Sequence, residues 1–186
     1  MAVAQRMSEE AYQEFVLSGV EGLWELHDGR LVEKPGMTWE HMDVASHLGY
    51  LLQSQLDRSD YRVFVEGRVR RPKATVFMPD VLAVPTAYGG PFRGKPGTLA
   101  IFSGPLPLVV EVWSASTGDY NVDAKIPVYQ QRGDLEIWRI HPYERMLTSW
   151  QRQPDGSYRE RVYRGGVVSP AALPGVEIDL QRLFDA

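Results

Sequence analysis

Residues 108–113 read Leu-Val-Val-Glu-Val-Trp. A run this apolar and β-branched forms a strand covered on both faces, which places it inside a sheet rather than at its edge. Glu111 breaks the run. An ionised carboxylate in such a strand is costly unless a cation pairs with it or a metal binds it. The fold must therefore bring a positive charge to this strand, and the acid is the first candidate for chemistry.

The flanking pattern gives the architecture. Ser8 caps a short helix that Gly19 ends, with Glu9 and Glu10 in its first turn, where the helix dipole favours acids. Trp24–His27 and Arg30–Glu33 flank Asp28-Gly29, the dipeptide that type I′ turns prefer. Thr38 caps a longer helix, residues 39–56, whose stripe is Ala45, Leu48, Leu51 and Leu52. Residues 61–70 read as one strand and, after a turn at Pro72-Lys73, residues 75–84 as the next. Residues 85–105, rich in Gly and Pro, read as a long loop, a feature often tied to function. After the 108–113 strand, Asn121 is placed to cap a helix that ends near Gly133, with Pro127 expected to kink it or delay its start. A strand over 135–140, a hairpin pairing 146–151 with 158–164, and a short strand with a helical turn within 173–184 complete the chain. This order predicts an α/β (α+β) fold with a mixed sheet and helices packed on it.

The length of 186 residues fits a single domain, 1–186, able to bury its own core. The absence of cysteine excludes a disulfide scaffold, a thiol nucleophile and a thiolate metal site. No stretch approaches the ~20 apolar residues of a membrane span, and the N-terminus has no signal-peptide core, so a cytoplasmic location is expected. The formal net charge of −4 counts against non-specific gripping of nucleic acid by the whole surface. Contact with nucleic acid must then rest on local patches or on metal ions that offset an acidic site.

Asp80 stands beside Glu111 as a candidate. It follows Pro79 inside a strand pattern, where proline marks a bend or an edge. Adjacent strands would place the two acids side by side. Two carboxylates suit Mg²⁺, which takes hard oxygen ligands and completes its shell with water and phosphate. A nearby lysine would stabilise developing charge. Lys125, fourteen positions after Glu111 in the first turns of the next helix, can fold back over the strand end. On this reading Glu111 is ionised, held by Lys125 or by a cation. Arg68 and Arg70 share a face if their strand alternates and are candidate contacts to a nucleic-acid backbone. His41 reads as an ordinary helix-start residue near Glu40. No phosphate-binding glycine loop and no nucleophile elbow is present.

These residues resemble the restriction-endonuclease-like PD-(D/E)XK superfamily, and within it the Uma-two family. The similarity runs through Trp24–Pro35 (WELHDGRLVEKP), His41, Pro79-Asp80-Val81, Val109–Thr117 (VVEVWSAST), Lys125 with Tyr129, Leu135–Pro142 (LEIWRIHP) and Leu173–Phe184 (LPGVEIDLQRLF). The resemblance implies a restriction-endonuclease-like mixed β-sheet flanked by helices, with an added hairpin near each end of the chain. It implies that Asp80 and Glu111 ligate Mg²⁺ (or Mn²⁺), with the backbone carbonyl of Val112 as a third ligand, and that Lys125 is the catalytic lysine. It further implies a DNA substrate and a homodimer. A further acid is expected from the N-terminal part, Glu33 ahead of Glu40. In the wider superfamily the lysine often lies two residues after the acid; Trp113 stands there, and the lysine comes from the helix instead. Asn121 replaces an aspartate that the family usually carries four residues before that lysine.

The function expected is a Mg²⁺-dependent endonuclease hydrolysing phosphodiester bonds. The alternative is a non-catalytic binding or structural module of the same fold. A glycosidase is disfavoured, since a lysine beside the acids would hold both ionised and leave no general acid.

Overall fold

The computed structural model describes residues 6–115 and 118–185, with the backbone alone for 118–123. Helix α1 (Glu9–Leu17) starts where Ser8 Oγ accepts the Ala11 N–H at 3.2 Å. Strands β1 (Trp24–His27) and β2 (Arg30–Glu33) form a hairpin whose turn residues Asp28 and Gly29 have φ of 48° and 79°, the double positive φ of a type I′ turn. Helix α2 (Trp39–Gln55) is capped by Thr38 and buries Val44, Ala45, Leu48, Leu51 and Leu52.

The two long strands expected over 61–70 and 75–84 are each broken in the middle. The first divides into β3 (Tyr61–Val65) and β4 (Arg68–Arg71), the second into β5 (Thr75–Phe77) and β6 (Val81–Pro85). The breaks lie opposite one another. Glu66 turns with φ of 60° ahead of Gly67, Pro79 interrupts the facing strand, and the Glu66 N–H donates to the Asp80 carbonyl at 3.0 Å. Proline cannot donate to the ladder, so this is where the hairpin folds over. The outer halves β3 and β6 pair in one sheet, and the inner halves β4 and β5 pair in another.

The result is two mixed sheets where the periodicity suggested one. The first runs β2-β1-β5-β4-β7, with β7 (Ile101–Phe102) parallel to β4. The second runs β11-β10-β9-β8-β6-β3, built on β8 (Leu108–Val112), β9 (Glu136–His141), β10 (Met146–Arg152) and β11 (Tyr158–Tyr163). The hairpins expected as additions are parts of these sheets: β1–β2 borders β5, and β10–β11 extends from β9. The segment 85–105 holds a 3₁₀ turn (Thr86–Gly89) as well as β7. A short pair, β12 (Val167–Val168) with β13 (Ile178–Asp179), leads into α4 (Leu180–Phe184).

Helix α3 (Gly118–Arg132) connects β8 to its parallel neighbour β9. It starts ahead of Asn121, which therefore lies in its first turn rather than at its cap, and Pro127 is accommodated inside it. Asn121's side chain lies outside the described residues. Alternation along β8 divides the core. Leu108, Val110 and Val112 join the cluster that contains α2 and α4, while Val109 joins the cluster with Ile126, Val128 and Tyr129 of α3. Glu111 shares Val109's parity and faces α3.

Candidate active site

β6 and β8 are antiparallel neighbours whose register pairs Val81 with Val110, so Asp80 and Glu111 are the next residues along on adjacent strands. Asp80 lies at the fold of the bent hairpin. Its own N–H donates to the Val110 carbonyl at 3.0 Å, and its Oδ2 accepts the Val112 N–H at 2.7 Å. The strand break thus turns Asp80's carboxylate onto the backbone of β8.

Two clusters of buried charge meet here. In the first, Asp80 Oδ1 accepts Lys34 Nζ at 2.6 Å, and Oδ2 lies 3.1 Å from His41 Nε2. Burial alone would raise the Asp80 carboxyl, but Lys34's charge and the His41 hydrogen bond prevail and hold it well below the ordinary aspartate range. In the second, Lys125 Nζ lies 2.8 Å from Glu25 Oε1 and 3.3 Å from Glu111 Oε1, while the Tyr129 hydroxyl donates to Glu111 Oε1. Lys125 and Tyr129 are four residues apart on α3 and present one face to β8. Asp80, Glu111, Lys125 and Glu25 are 2–5% exposed.

Glu25 is the cation's nearer partner. Burial would push its carboxyl up, but Lys125's charge, His27, and the Met78 N–H on Oε1 bring it down to about 2. Glu111 goes the other way. Burial raises its carboxyl to about 7, with Asp80 and Glu25 adding to the rise and Lys125 and Lys34 opposing it. Lys125 does pair with Glu111, at 3.3 Å, and it lies nearer still to Glu25, at 2.8 Å, a second partner that the sequence did not suggest.

These groups border a narrow cavity of about 30 Å³, lined among others by Glu25, Lys34, Asp80, Glu111, Val112 and Lys125. A site needs roughly 10–15 Å³ to hold one water, so there is room for a water or an ion. It adjoins a cleft of about 560 Å³, and Glu33, Lys34, Pro35, Met37, His41 and Asp80 line both. The cleft's other walls are largely apolar, with Leu23, Met42, Ala45 and Val65.

The structure brings Asp80, Glu111, Val112 and Lys125 together, as the strand pattern requires. Glu33 lies at the rim, exposed but lining both spaces. Glu40 is elsewhere, bound to the Tyr143 hydroxyl at 2.8 Å. Arg68 and Arg70 do not line either space; Arg68 Nε donates to the Tyr12 hydroxyl at 3.1 Å, and Arg70 forks onto Glu9, both on α1. His41 lies at the start of α2, as expected, and is also a buried partner of Asp80, which its sequence position did not suggest.

Glu25 and Lys34 escape a reading by sequence. Glu25 lies between Trp24 and Leu26 in an alternating strand, a pattern that suggests a solvated face; the covering group, Lys125, is 100 positions away. Lys34 lies just past β2 in a coil and carries no pattern at all.

The donor set suits a hard divalent cation. Asp80 and Glu111 supply carboxylate oxygens beside Val112's backbone at a cavity of ionic size. Among the described residues no group of three or more His, Cys, Asp and Glu is arranged to hold a metal. Mg²⁺ usually takes only one or two carboxylates and keeps its waters.

The profile of the Uma2 family, described as "Putative restriction endonuclease", matches residues 10–181. A crystal structure from Anabaena variabilis, described as "a putative nuclease belonging to DUF820", superposes with a TM-score of 0.76 at 18% identity, covering 96% of this chain and 98% of that one. At that identity the likeness establishes the fold. No curated protein matches the sequence.

Proposed function

The chain belongs to the Uma2 family of restriction-endonuclease-like proteins, and on that premise we propose that it is a divalent-metal-dependent endonuclease that hydrolyses DNA phosphodiester bonds. The observation that carries the reading is the meeting of Asp80, Glu111 and Lys125 at one buried cavity that adjoins a larger cleft. Asp80 and Glu111, with the Val112 carbonyl, would hold Mg²⁺ or Mn²⁺. When bound, such an ion supplies an acidified water and charge stabilisation at the phosphate. Lys125, held by Glu25 and Glu111, would stabilise negative charge as it develops, and Tyr129, bonded to Glu111, would orient that carboxylate. Glu33, at the rim, is a candidate for orienting an incoming water. Arg68 and Arg70 would reach phosphates only by leaving α1. We further propose a cytoplasmic homodimer, two copies acting on opposite strands; among the described residues no helix is long and apolar enough to cross a membrane.

The second reading, a non-catalytic module of the same fold, is favoured by one observation: both carboxylates are already engaged by protein donors, Asp80 by Lys34, His41 and Val112 N–H, and Glu111 by Tyr129 and Lys125.

Cleavage of supercoiled and single-stranded DNA across Mg²⁺ and Mn²⁺ concentrations separates the two. Asp80→Ala and Glu111→Ala should abolish both metal binding and cleavage. Lys125→Ala should bind metal and cleave about 10²–10³ more slowly, the usual cost of removing one electrostatic stabiliser. Wild type that binds metal and cuts no nucleic acid would support the non-catalytic module.

A further inference from the structure

The two oxygens of Asp80 are held in different ways. Oδ2 receives the Val112 N–H at 2.7 Å and His41 Nε2 at 3.1 Å, one from the spine of β8 and the other from the first turn of α2. Both donors are fixed by regular structure. Oδ1 receives the Lys34 ammonium at 2.6 Å. Lys34 projects from residues 34–38, which have no regular structure, on a stem with four rotatable bonds. Its side chain is 8% exposed, and it lines both the inner cavity and the outer cleft. Among the described residues, the outer cleft is lined by no other lysine or arginine.

We propose that Lys34 is an internal counter-ion for Asp80: it holds Oδ1 while no divalent cation is bound, gives that oxygen up when one binds, and then presents its ammonium to a phosphate in the outer cleft. The inference rests on the metal-dependent reading above. Its logic is competition. A divalent ion and an ammonium cannot share one carboxylate oxygen in a cavity of about 30 Å³ without strong repulsion. Releasing Oδ1 leaves the carboxylate aimed, because the Val112 N–H and His41 contacts on Oδ2 remain. Lys34 then loses a buried partner, and an anion in the adjoining cleft replaces it. Metal and phosphate therefore reinforce each other's binding, with Lys34 as the link.

The test is Lys34→Met, which keeps the stem and removes the charge. Mn²⁺ and Mg²⁺ are titrated by calorimetry without nucleic acid, and melting is followed across the same concentrations. Lys34→Met should bind Mn²⁺ about tenfold tighter than wild type, since the competing cation is gone. It should melt lower than wild type without metal and gain more from Mn²⁺, because the ion then compensates Asp80's charge. Lys34→Arg should restore the metal-free melting temperature and bind Mn²⁺ no tighter than wild type. A side chain that only supports the fold would weaken metal binding when removed, the opposite sign. Equal or weaker Mn²⁺ binding by Lys34→Met overturns the proposal, as does a lack of metal binding by both proteins, or a Lys34→Met protein that stays unfolded at every Mn²⁺ concentration. The nuclease reading fails separately. Metal-dependent cutting by wild type, with Lys34→Met binding Mn²⁺ no tighter, removes the counter-ion exchange and keeps the nuclease; the expected metal titrations from a protein that cuts nothing do the reverse.

Discussion

Replacing Lys125 with methionine tests the buried charge network most directly. The ammonium lies 2.8 Å from Glu25 and 3.3 Å from Glu111, and all three side chains are 4–6% exposed. Its loss has unequal effects on the two acids. Glu111, already raised to about 7, can take up a proton and remain bonded to Tyr129. Glu25, held down to about 2, is left ionised with His27 and the Met78 N–H. The cost should therefore be that of one uncompensated buried carboxylate, about 3–5 kcal/mol. That is a large part of the ~5–15 kcal/mol that holds a typical domain folded. At roughly 2–4 °C per kcal/mol for a chain of this length, Tm should fall by roughly 6–20 °C in metal-free buffer at neutral pH. The double variant Lys125→Met/Glu25→Gln removes both charges and should recover more than half of the loss, whereas Lys125→Met/Glu111→Gln should recover little. Thermal melts and urea titrations of the four proteins form the assay. A Lys125→Met protein that melts within a degree of wild type would refute the pairing. Rescue by Glu111→Gln rather than Glu25→Gln would show that the ammonium belongs chiefly to Glu111.

Glu25 also sets an acid limb. Its carboxyl is lowered in the folded protein from an ordinary 4.5 to about 2, so the stability it contributes is full above pH 4.5 and disappears as the pH falls toward 2. The Tm gap between wild type and Glu25→Gln should close as the pH falls from 4.5 toward 2; a gap that widens over that window contradicts the assignment. Gly67 sits where the hairpin folds over, and a Cβ there would meet Leu82 Cδ1 at 2.5 Å and Cγ at 3.2 Å. Gly67→Ala should cost about 1–3 kcal/mol by overpacking a fully buried leucine, read by urea denaturation; an unchanged midpoint would mean that the fold-over is not tightly packed. Arg70→Ala distinguishes two uses of one side chain. Its fork onto Glu9 predicts a Tm change of only a few degrees and an unaltered salt dependence of DNA binding, while a flatter salt dependence would restore it as a phosphate contact.

Much of this architecture was legible in the chain. The helix stripes, the Asp28-Gly29 turn and the buried 108–112 strand follow from periodicity and turn chemistry, because each depends on residues within a few positions. So does the gathering of Asp80, Glu111 and Lys125: two neighbouring strands and the helix after the second leave few other arrangements. The two mixed sheets were not legible. A fold-over at Glu66-Gly67 and Pro79 hardly disturbs the alternation on either side, so each pair of short strands reads as one long strand. Glu25, Lys34 and His41 were hidden for a related reason. An acid on an alternating strand, a lysine in a coil and a histidine at a helix start all look solvated until the elements that cover them are in place, and Lys125, Asp80 and α3 are distant in sequence.

The separation of 100 residues between Glu25 and Lys125 has a kinetic meaning. Closing a loop of that size brings a large entropy cost before any contact rewards it, so such pairings tend to form late in folding. Until β1 and α3 dock, each charge is hydrated on an incomplete subdomain, and neither has reason to be buried. The centre is therefore expected to form late in folding and to open early in unfolding. Contacts absent from the rate-limiting step leave the refolding rate nearly unchanged and show up almost wholly as faster unfolding. On that reasoning, loss of the charge network is expected to shorten the lifetime of the folded state more than it slows its formation.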